Sequence, residues 1–388
     1  MLAIRYNVFS GVNVFPLILF CFSGCSVKNA EVEKDFVFSK KMEVIDSLRI
    51  SLPSDIRDPD YEVAVFWSYD DNGFSFLTEM EEPIMHLNRY DFKNETWSRH
   101  RLNRDGPNQV YSKGGFKIVG DSTMFYFPIV GNQIIELDRS AQVLSSHNFS
   151  PSGLENYNGL NKNPELLRIN DQVYFDLTEY YSLRDKSTFK KSYLIGRFDL
   201  RKKRFEKMVR FPEEFHGTTW STNDSDRSSV FAKGKIYMNF TKSPYVYEYN
   251  LQGELLNKKY VGTKKIRDAG TRSDSREINA LRQQNNGYYH KLIYDKWRNV
   301  FYRIGVYFDT DREIKDMQDM VELASKRTLA ILILNEDLEL IGLTEFPIKT
   351  RISENYYFVN EDGLYLKYYG KGPSEEVLDF YRLGLADL

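Results

Sequence analysis

The sequence predicts an all-β fold, and three observations predict it. Phenylalanine and tyrosine, 27 of each, carry most of an aromatic share of 15%, and flat rings pack well on a pleated, half-buried surface. Five segments repeat one grammar: an alternating strand ending in Asp or Asn, a short polar turn, then a second strand. The last repeat is one strand short, while a spare strand stands near the start of the chain. Together these predict a six-bladed β-propeller closed by an N-terminal strand, with one helical insertion.

In chain order, residues 1–24 read as an export signal. Arg5 is the one cation of a short head, an apolar run extends from Val14 through Phe22, and small residues follow at Ser23 and Gly24. The run is about half of the roughly 20 residues that a membrane-spanning helix needs, so the segment is expected to be removed. Phe22-Ser23-Gly24-Cys25 resembles a bacterial lipobox. The resemblance implies that Cys25 becomes the lipid-bearing first residue of the mature chain and that Cys21 leaves with the signal. These are the only two cysteines, so the mature body would hold no thiol and no disulfide. Residues 25–40 read as a polar tether and residues 41–388 as the propeller domain.

The repeated hairpins are His86–Leu102, Ile134–Phe149, Ile195–Pro212, Val246–Gly262 and Leu329–Pro347, with marker residues Asp91, Asp138, Asp199, Asn250 and Asn335. Asp and Asn suit that place because their side chains bond nearby backbone amides and tolerate turn geometry. A further pair of strand-like runs precedes each hairpin, such as FKIVGD with TMFYFPIV, giving four strands per unit. Gly234-Lys235 and Lys296–Asn299 fall where tight turns belong. After the fifth hairpin only three strands remain, in ENYYFVNED, GLYLKYY and VLDFYRLGL. Glu43–Pro53 supplies the fourth, and pairing it with the C-terminal strand would remove the edges that an open array exposes.

The longest interval between markers holds two insertions. Thr263–Gly287 is polar and reads as a loop. In Asp309–Arg327, residues Ile314, Met317, Val321 and Ala324 recur at helical spacing, and Thr310 with Glu313 fits a capping box. The rival architecture, two β-sandwiches, would account for frequent turns but not for the shared grammar or the spare strand.

Composition excludes some functions. A net charge of −2 offers no basic face for nucleic acid. The five histidines show no metal-ligand spacing, no phosphate-cradling glycine loop or nucleophile elbow is present, and Asp309–Asp316 lacks the glycine of a calcium loop. No cofactor is expected. Asn94, Asn148, Asn223 and Asn239 open Asn-x-Ser/Thr triplets, which carry no weight beside a bacterial-type signal.

Propeller ligands commonly sit where loops enter the innermost strands. Those loops are Asn103–Gly115, Pro151–Glu165, Glu213–Arg227 and Thr263–Gly287. The third places His216 and Trp220 near Asp224 and Asp226, a mixture of ring faces and carboxylates that could hold a sugar or peptide. Tyr157, Asn158 and Arg272 are candidates on adjacent loops. The bland alternative has Trp220 packed under its own loop with the acids solvated.

The lipobox, the aromatic-rich repeat and the marker turns resemble the bacterial lipoproteins of domain-of-unknown-function family 4221, and more loosely the six-bladed TolB-like propellers. That resemblance implies shape and address and brings no catalytic residues. The expected function is therefore a monomeric, lipid-anchored binding module of the bacterial cell envelope, non-enzymatic. It would meet the membrane through Cys25 and take a glycan, a peptide or an envelope protein. An envelope scaffold, or a hydrolase or lyase with acid and base groups along the central channel, are the alternatives.

Overall fold

The computed structural model describes residues 38–56, 67–81, 84–102, 110, 114–120, 123–128, 133–148, 165–177, 187–216, 226–266, 285–308, 315–322, 326–347, 351–369 and 376–388, all within one unit, Val37–Leu388. The export signal, both cysteines and the tether as far as residue 37 lie outside them. No helix among the described residues is long and apolar enough to cross a membrane.

The aromatic runs become strands where the repeat places them. After β1 (Lys40–Ser51), four antiparallel sheets follow in chain order, each a simple meander. The first is β2 (Trp67–Asp70), β3 (Gly73–Glu81), β4 (Ile84–Asp91) and β5 (Thr96–Leu102). The second is β6 (Gly114–Val119), β7 (Thr123–Pro128), β8 (Gln133–Asp138) and β9 (Val143–Asn148). The third is β10 (Leu166–Ile169), β11 (Gln172–Asp176), β12 (Tyr193–Asp199) and β13 (Arg204–Arg210), with the short helix α1 (Thr188–Lys191) before β12. The fourth is β14 (Arg227–Ala232), β15 (Lys235–Phe240), β16 (Tyr245–Asn250) and β17 (Leu255–Tyr260).

The remaining strands are β18 (Tyr288–Asp295), β19 (Val300–Phe308), β20 (Arg327–Leu334), β21 (Leu340–Pro347), β22 (Arg351–Asn360), β23 (Gly363–Tyr369) and β24 (Val377–Asp387). With β1 they form one eight-stranded sheet in the order β18-β19-β20-β21-β1-β24-β23-β22. Four separate sheets and one eight-stranded sheet thus stand where the sequence predicted six blades, and the reason for the joining is local. β1 enters alongside β21 in parallel, Lys40 opposite Gly342, with the Ser39 amide donating to the Ile341 carbonyl at 2.9 Å. Every other junction in that sheet is antiparallel.

The closing strand itself is present. β1 pairs with β24 from Lys40 opposite Asp387 to Ser51 opposite Val377, with a bulge between Val44 and Asp46. Arg382 Nε and Nη2 reach the two Asp46 oxygens at 2.8 and 2.6 Å, and Arg49 grips Asp379 in the same forked way.

The edge strands β2, β6 and β10 lie side by side, β14 meets β18, and β22 meets both β18 and β2. Ser229 on β14 donates to Asp176 on β11 at 2.6 Å, linking the third and fourth sheets. The edges therefore surround one axis, and the eight-stranded sheet curls until its own two edges touch. Among the described residues, six clusters of buried apolar side chains fill the spaces where sheet faces sheet. One packs Ile293, Tyr302, Ile304 and Ile331 against Ile352, Val359 and Leu364, so the two halves of the eight-stranded sheet share a core.

Four of the marker residues end the third strand of their unit, Asn335 directly follows its own, and all five receive backbone amides. Asp138 Oδ1 takes those of Ser140 and Gln142 at 2.8 and 2.9 Å, and Asn335 Oδ1 those of Asp337 and Glu339 at 3.0 and 2.8 Å. Asp91, Asp199 and Asn250 do the same. The tight turn near Gly234 falls one residue earlier than read: Lys233 and Gly234 both have positive φ and Lys235 opens β15. The helical insertion is described only as α2 (Met317–Glu322). Its start is capped by Asp316, whose Oδ1 accepts the Asp319 amide at 2.8 Å, while Thr310 and Glu313 lie outside the described residues.

Candidate functional site

Two lysines interrupt apolar runs on strands that border the axis. In β6, Lys117 stands between Phe116 and Ile118, both buried. In β18, Lys291 precedes buried Leu292 and Ile293. A serine from the neighbouring sheet fixes the backbone after each lysine: Ser68 accepts the Ile118 amide at 3.2 Å, and Ser228 accepts the Leu292 amide at 2.8 Å. In β18 the pairing with β19 is bulged between Tyr289 and Lys291, a device common beside functional sites.

Around these lysines the five sheets converge. Lys117 Nζ pairs with Glu165, which directly precedes β10, at 3.1 Å, and lies 5.2 Å from the centre of the Tyr69 ring of β2. Their side chains keep 16% and 24% of their surface open, so solvent reaches the pair. Tyr69 meets Tyr357 of β22 edge-on, ring centres 5.7 Å apart. The Glu165 amide approaches Asp176 Oδ2 at 3.5 Å, and Asp176 is itself buried and held by Ser229.

Lys291 completes the group. Burial holds its pKa below the ordinary lysine range; the negative charges of Glu165, Asp176 and Asp226 oppose that effect and the positive charge of Lys117 adds to it. Yet the residue stays partly exposed. A lysine enclosed by protein and still wetted is what an axial channel would provide. Burial also raises the Tyr69 and Tyr357 pKa values well above the usual phenol range, with the Glu165 charge contributing at both, so the phenols are donors at neutral pH. No described residue accepts a hydrogen bond from the Tyr69 or Tyr357 hydroxyl, and none lies within ion-pair distance of Lys291. The arrangement therefore offers one cation and two phenols without acceptors, next to an ion pair.

Of the residues singled out in the sequence, His216 and Asp226 are described. His216 closes a 3-10 turn at Glu213–Phe215 and its Nε2 donates to the Phe211 carbonyl at 3.0 Å. Asp226 is exposed at the start of β14, and its carbonyl accepts the Thr241 amide and hydroxyl at 2.8 and 2.9 Å. Trp220, Asp224, Tyr157, Arg272 and Cys25 lie outside the described residues. The sequence reading passed over Lys117, Lys291, Tyr69 and Tyr357. A lone cation inside an apolar strand was the available signal for the lysines. Among the described residues no three His, Cys, Asp or Glu side chains converge as metal ligands.

The family profile described as "Domain of unknown function (DUF4221)" matches residues 38–344. The crystal structure of a DUF4221 member from Bacteroides vulgatus superposes with a TM-score of 0.73 at 16% identity, over 90% of this chain and 99% of that one. A Bacteroides fragilis protein described as exported gives a TM-score of 0.54 at 9% identity, over 89% and 95% of the two chains. At these identities the likeness concerns the fold. No curated protein matches the sequence.

Proposed function

We propose that this chain, which belongs to the DUF4221 family, is a lipid-anchored binding module of the bacterial cell envelope that holds a small ligand at its axis without turning it over. One observation carries the binding reading: strands of several sheets bring Lys117, Glu165, Tyr69 and Tyr357 into one chain of contacts at the axis, and Lys291, on which the Glu165 charge acts, has no ion-pair partner among the described residues.

The architecture reading is a six-bladed propeller in which the eight-stranded sheet counts as two blades. Its support is the shared core between the halves of that sheet, the lone parallel pair Lys40 and Gly342 that joins them, and the two edges β18 and β22 facing one axis. The anchor reading rests on Phe22–Cys25 and the polar segment that follows.

Thermal unfolding of the full chain against neutral sugars, charged sugars, short peptides and calcium tests the binding reading. A ligand of the folded state at a hundred times its Kd stabilises by about 2.7 kcal/mol, and Glu165→Gln should reduce the shift. A flat screen on folded protein would favour a scaffold that meets envelope proteins. Turnover of a probe, lost in Glu165→Gln, would favour a hydrolase or lyase. Cys25→Ala should abolish fatty-acid labelling and release the protein from membranes; unchanged labelling would refute the anchor.

A further inference from the structure

We propose that the outer edge of the third sheet docks on an anionic bilayer surface. The inference rests on the anchor reading, which keeps the chain beside a membrane, and adds an orientation to it. Among the described side chains from Ser187 to Arg210, every exposed one belongs to a lysine or an arginine: Arg204, Lys207 and Arg210 on β13, the turn Arg201–Lys203 before it, and both lysines that end α1. The stretch holds nine cations and two acids. The net charge of −2 for the whole chain therefore conceals a basic edge set against an acidic remainder.

The acids near this edge are few and already engaged. Asp199 is buried and its Oδ1 accepts the Lys202 amide at 2.7 Å, Glu206 pairs with both Arg197 and Arg204, and Asp171 stands 3.9 Å from Arg201. The equivalent strands of the neighbouring sheets carry nothing similar. Their exposed residues are Leu144, Ser146 and Asn148 on β9, and Leu255, Leu256 and Lys258 on β17. The basic edge is thus a property of the third sheet and not of the repeat.

Its shape suits a flat, diffuse partner. The seven residues of β13 extend about 23 Å, with the cationic turn at one end and α1 at the other, where Arg210 Nη1 donates to the Lys190 carbonyl at 3.3 Å. The result is a row of long side chains rather than a pocket. No exposed aromatic ring stands among them for a base or a sugar to stack on. A layer of phosphate headgroups needs none, since it attracts each cation that comes within a Debye length. Fifteen residues separate Cys25 from Lys40 and span at most about 50 Å, enough for an anchored ring to turn this edge to the headgroups.

The test takes the protein as the producing cells process it and mixes it with vesicles of phosphatidylcholine alone or of equal parts phosphatidylcholine and phosphatidylglycerol. Amine acetylation is then mapped by mass spectrometry. On the anionic vesicles Lys190, Lys191, Lys203 and Lys207 should be protected, and about 1 M salt should remove the protection. Exposed Lys93, in the turn after β4, should react alike on both. Each cation near such a surface is worth roughly a fivefold change in partition, so Lys203→Gln with Lys207→Gln should lower the docked-to-undocked ratio, read at Lys190 and Lys191, by roughly 25-fold.

Equal reactivity of the row on both kinds of vesicle, with protein bound to each, would overturn the docking and leave the anchor standing. Binding to anionic vesicles alone, with the row protected, would uphold the docking and refute the anchor. Binding to neither refutes both. Stronger protection by soluble polygalacturonate than by the anionic vesicles would overturn the bilayer in favour of an acidic polymer.

Discussion

At the scale of single residues, Arg303 shows how the sheets are locked together. It is fully buried on β19 with its guanidinium 3.5 Å from the centre of the Tyr289 ring, and its partners are oxygens of the fourth sheet and its loops: Asn239 Oδ1 at 2.7 Å, the Pro244 and Val261 carbonyls at 3.0 and 3.1 Å, and the Ser243 carbonyl. Burial lowers its pKa to about 10, which still leaves it charged at neutral pH. Arg303→Met should cost about 3 to 5 kcal/mol, read from the urea midpoint, because several carbonyls would lose their donors at once. Arg303→Lys should recover only part, since an ammonium cannot span the same fork. His147 makes a prediction about acid. Burial is the largest influence on it and lowers its pKa below 6.5, so the unfolded chain takes up the proton more readily than the folded one. The stability it contributes is full above about pH 6.5 and is lost as pH falls through the lower folded value. His147→Gln should flatten that part of the pH profile in thermal melts. Sequence legibility divides along the same line. Asp138 and Asn335 could be read because their amide partners lie two and four residues away; Asp138→Ala should cost on the order of 1 kcal/mol. Arg303 and Lys291 could not, because the groups that give them meaning come from other sheets.

At the scale of elements, the closing strand was legible and its second neighbour was not. The alternation in Glu43–Pro53 and the missing fourth strand together identified β1 as the partner of β24. Nothing in the sequence marks the contact with β21, which depends on Gly342 having no side chain. A Cβ there would collide with the Lys40 carbonyl. Gly342→Val should therefore open the β1–β21 junction while sparing the β1–β24 ladder, at a cost of roughly 1 to 3 kcal/mol. Hydrogen exchange would show faster exchange at Ser39 and the β21 amides without a change at Leu48 or Phe380. Equal protection across both junctions would contradict this. The helix expected over Asp309–Arg327 was harder to bound, since a capping signal needs only two residues and Asp316 with Asp319 competes with Thr310 and Glu313 in the sequence.

At the scale of the whole molecule, the aromatic excess that suggested strands also sets the response to alkali. Burial pushes Tyr237 and Tyr307 up to about 12 and drives Tyr247, Tyr302 and Tyr357 higher still. A folded pKa above the unfolded value gives stability that is complete below about pH 10 and is lost as pH climbs toward 12 and beyond. Tyrosinate absorbance should consequently rise together with loss of far-ultraviolet ellipticity, in one transition rather than residue by residue. The repeat made the ring of sheets readable, whereas the axial site was hidden because its members stand on strands far apart in the chain and acquire a common neighbour, Glu165, only after the ring has formed. The pairing of Lys40 with Asp387 carries a last consequence. A ribosome makes β1 before every other described strand and β24 after them all, so the earliest strand must wait, unpaired, for the latest. Contacts that span so much chain slow the final step of folding, and a polypeptide stalled or clipped before Val377 would keep an open seam ready to accept a strand from another molecule.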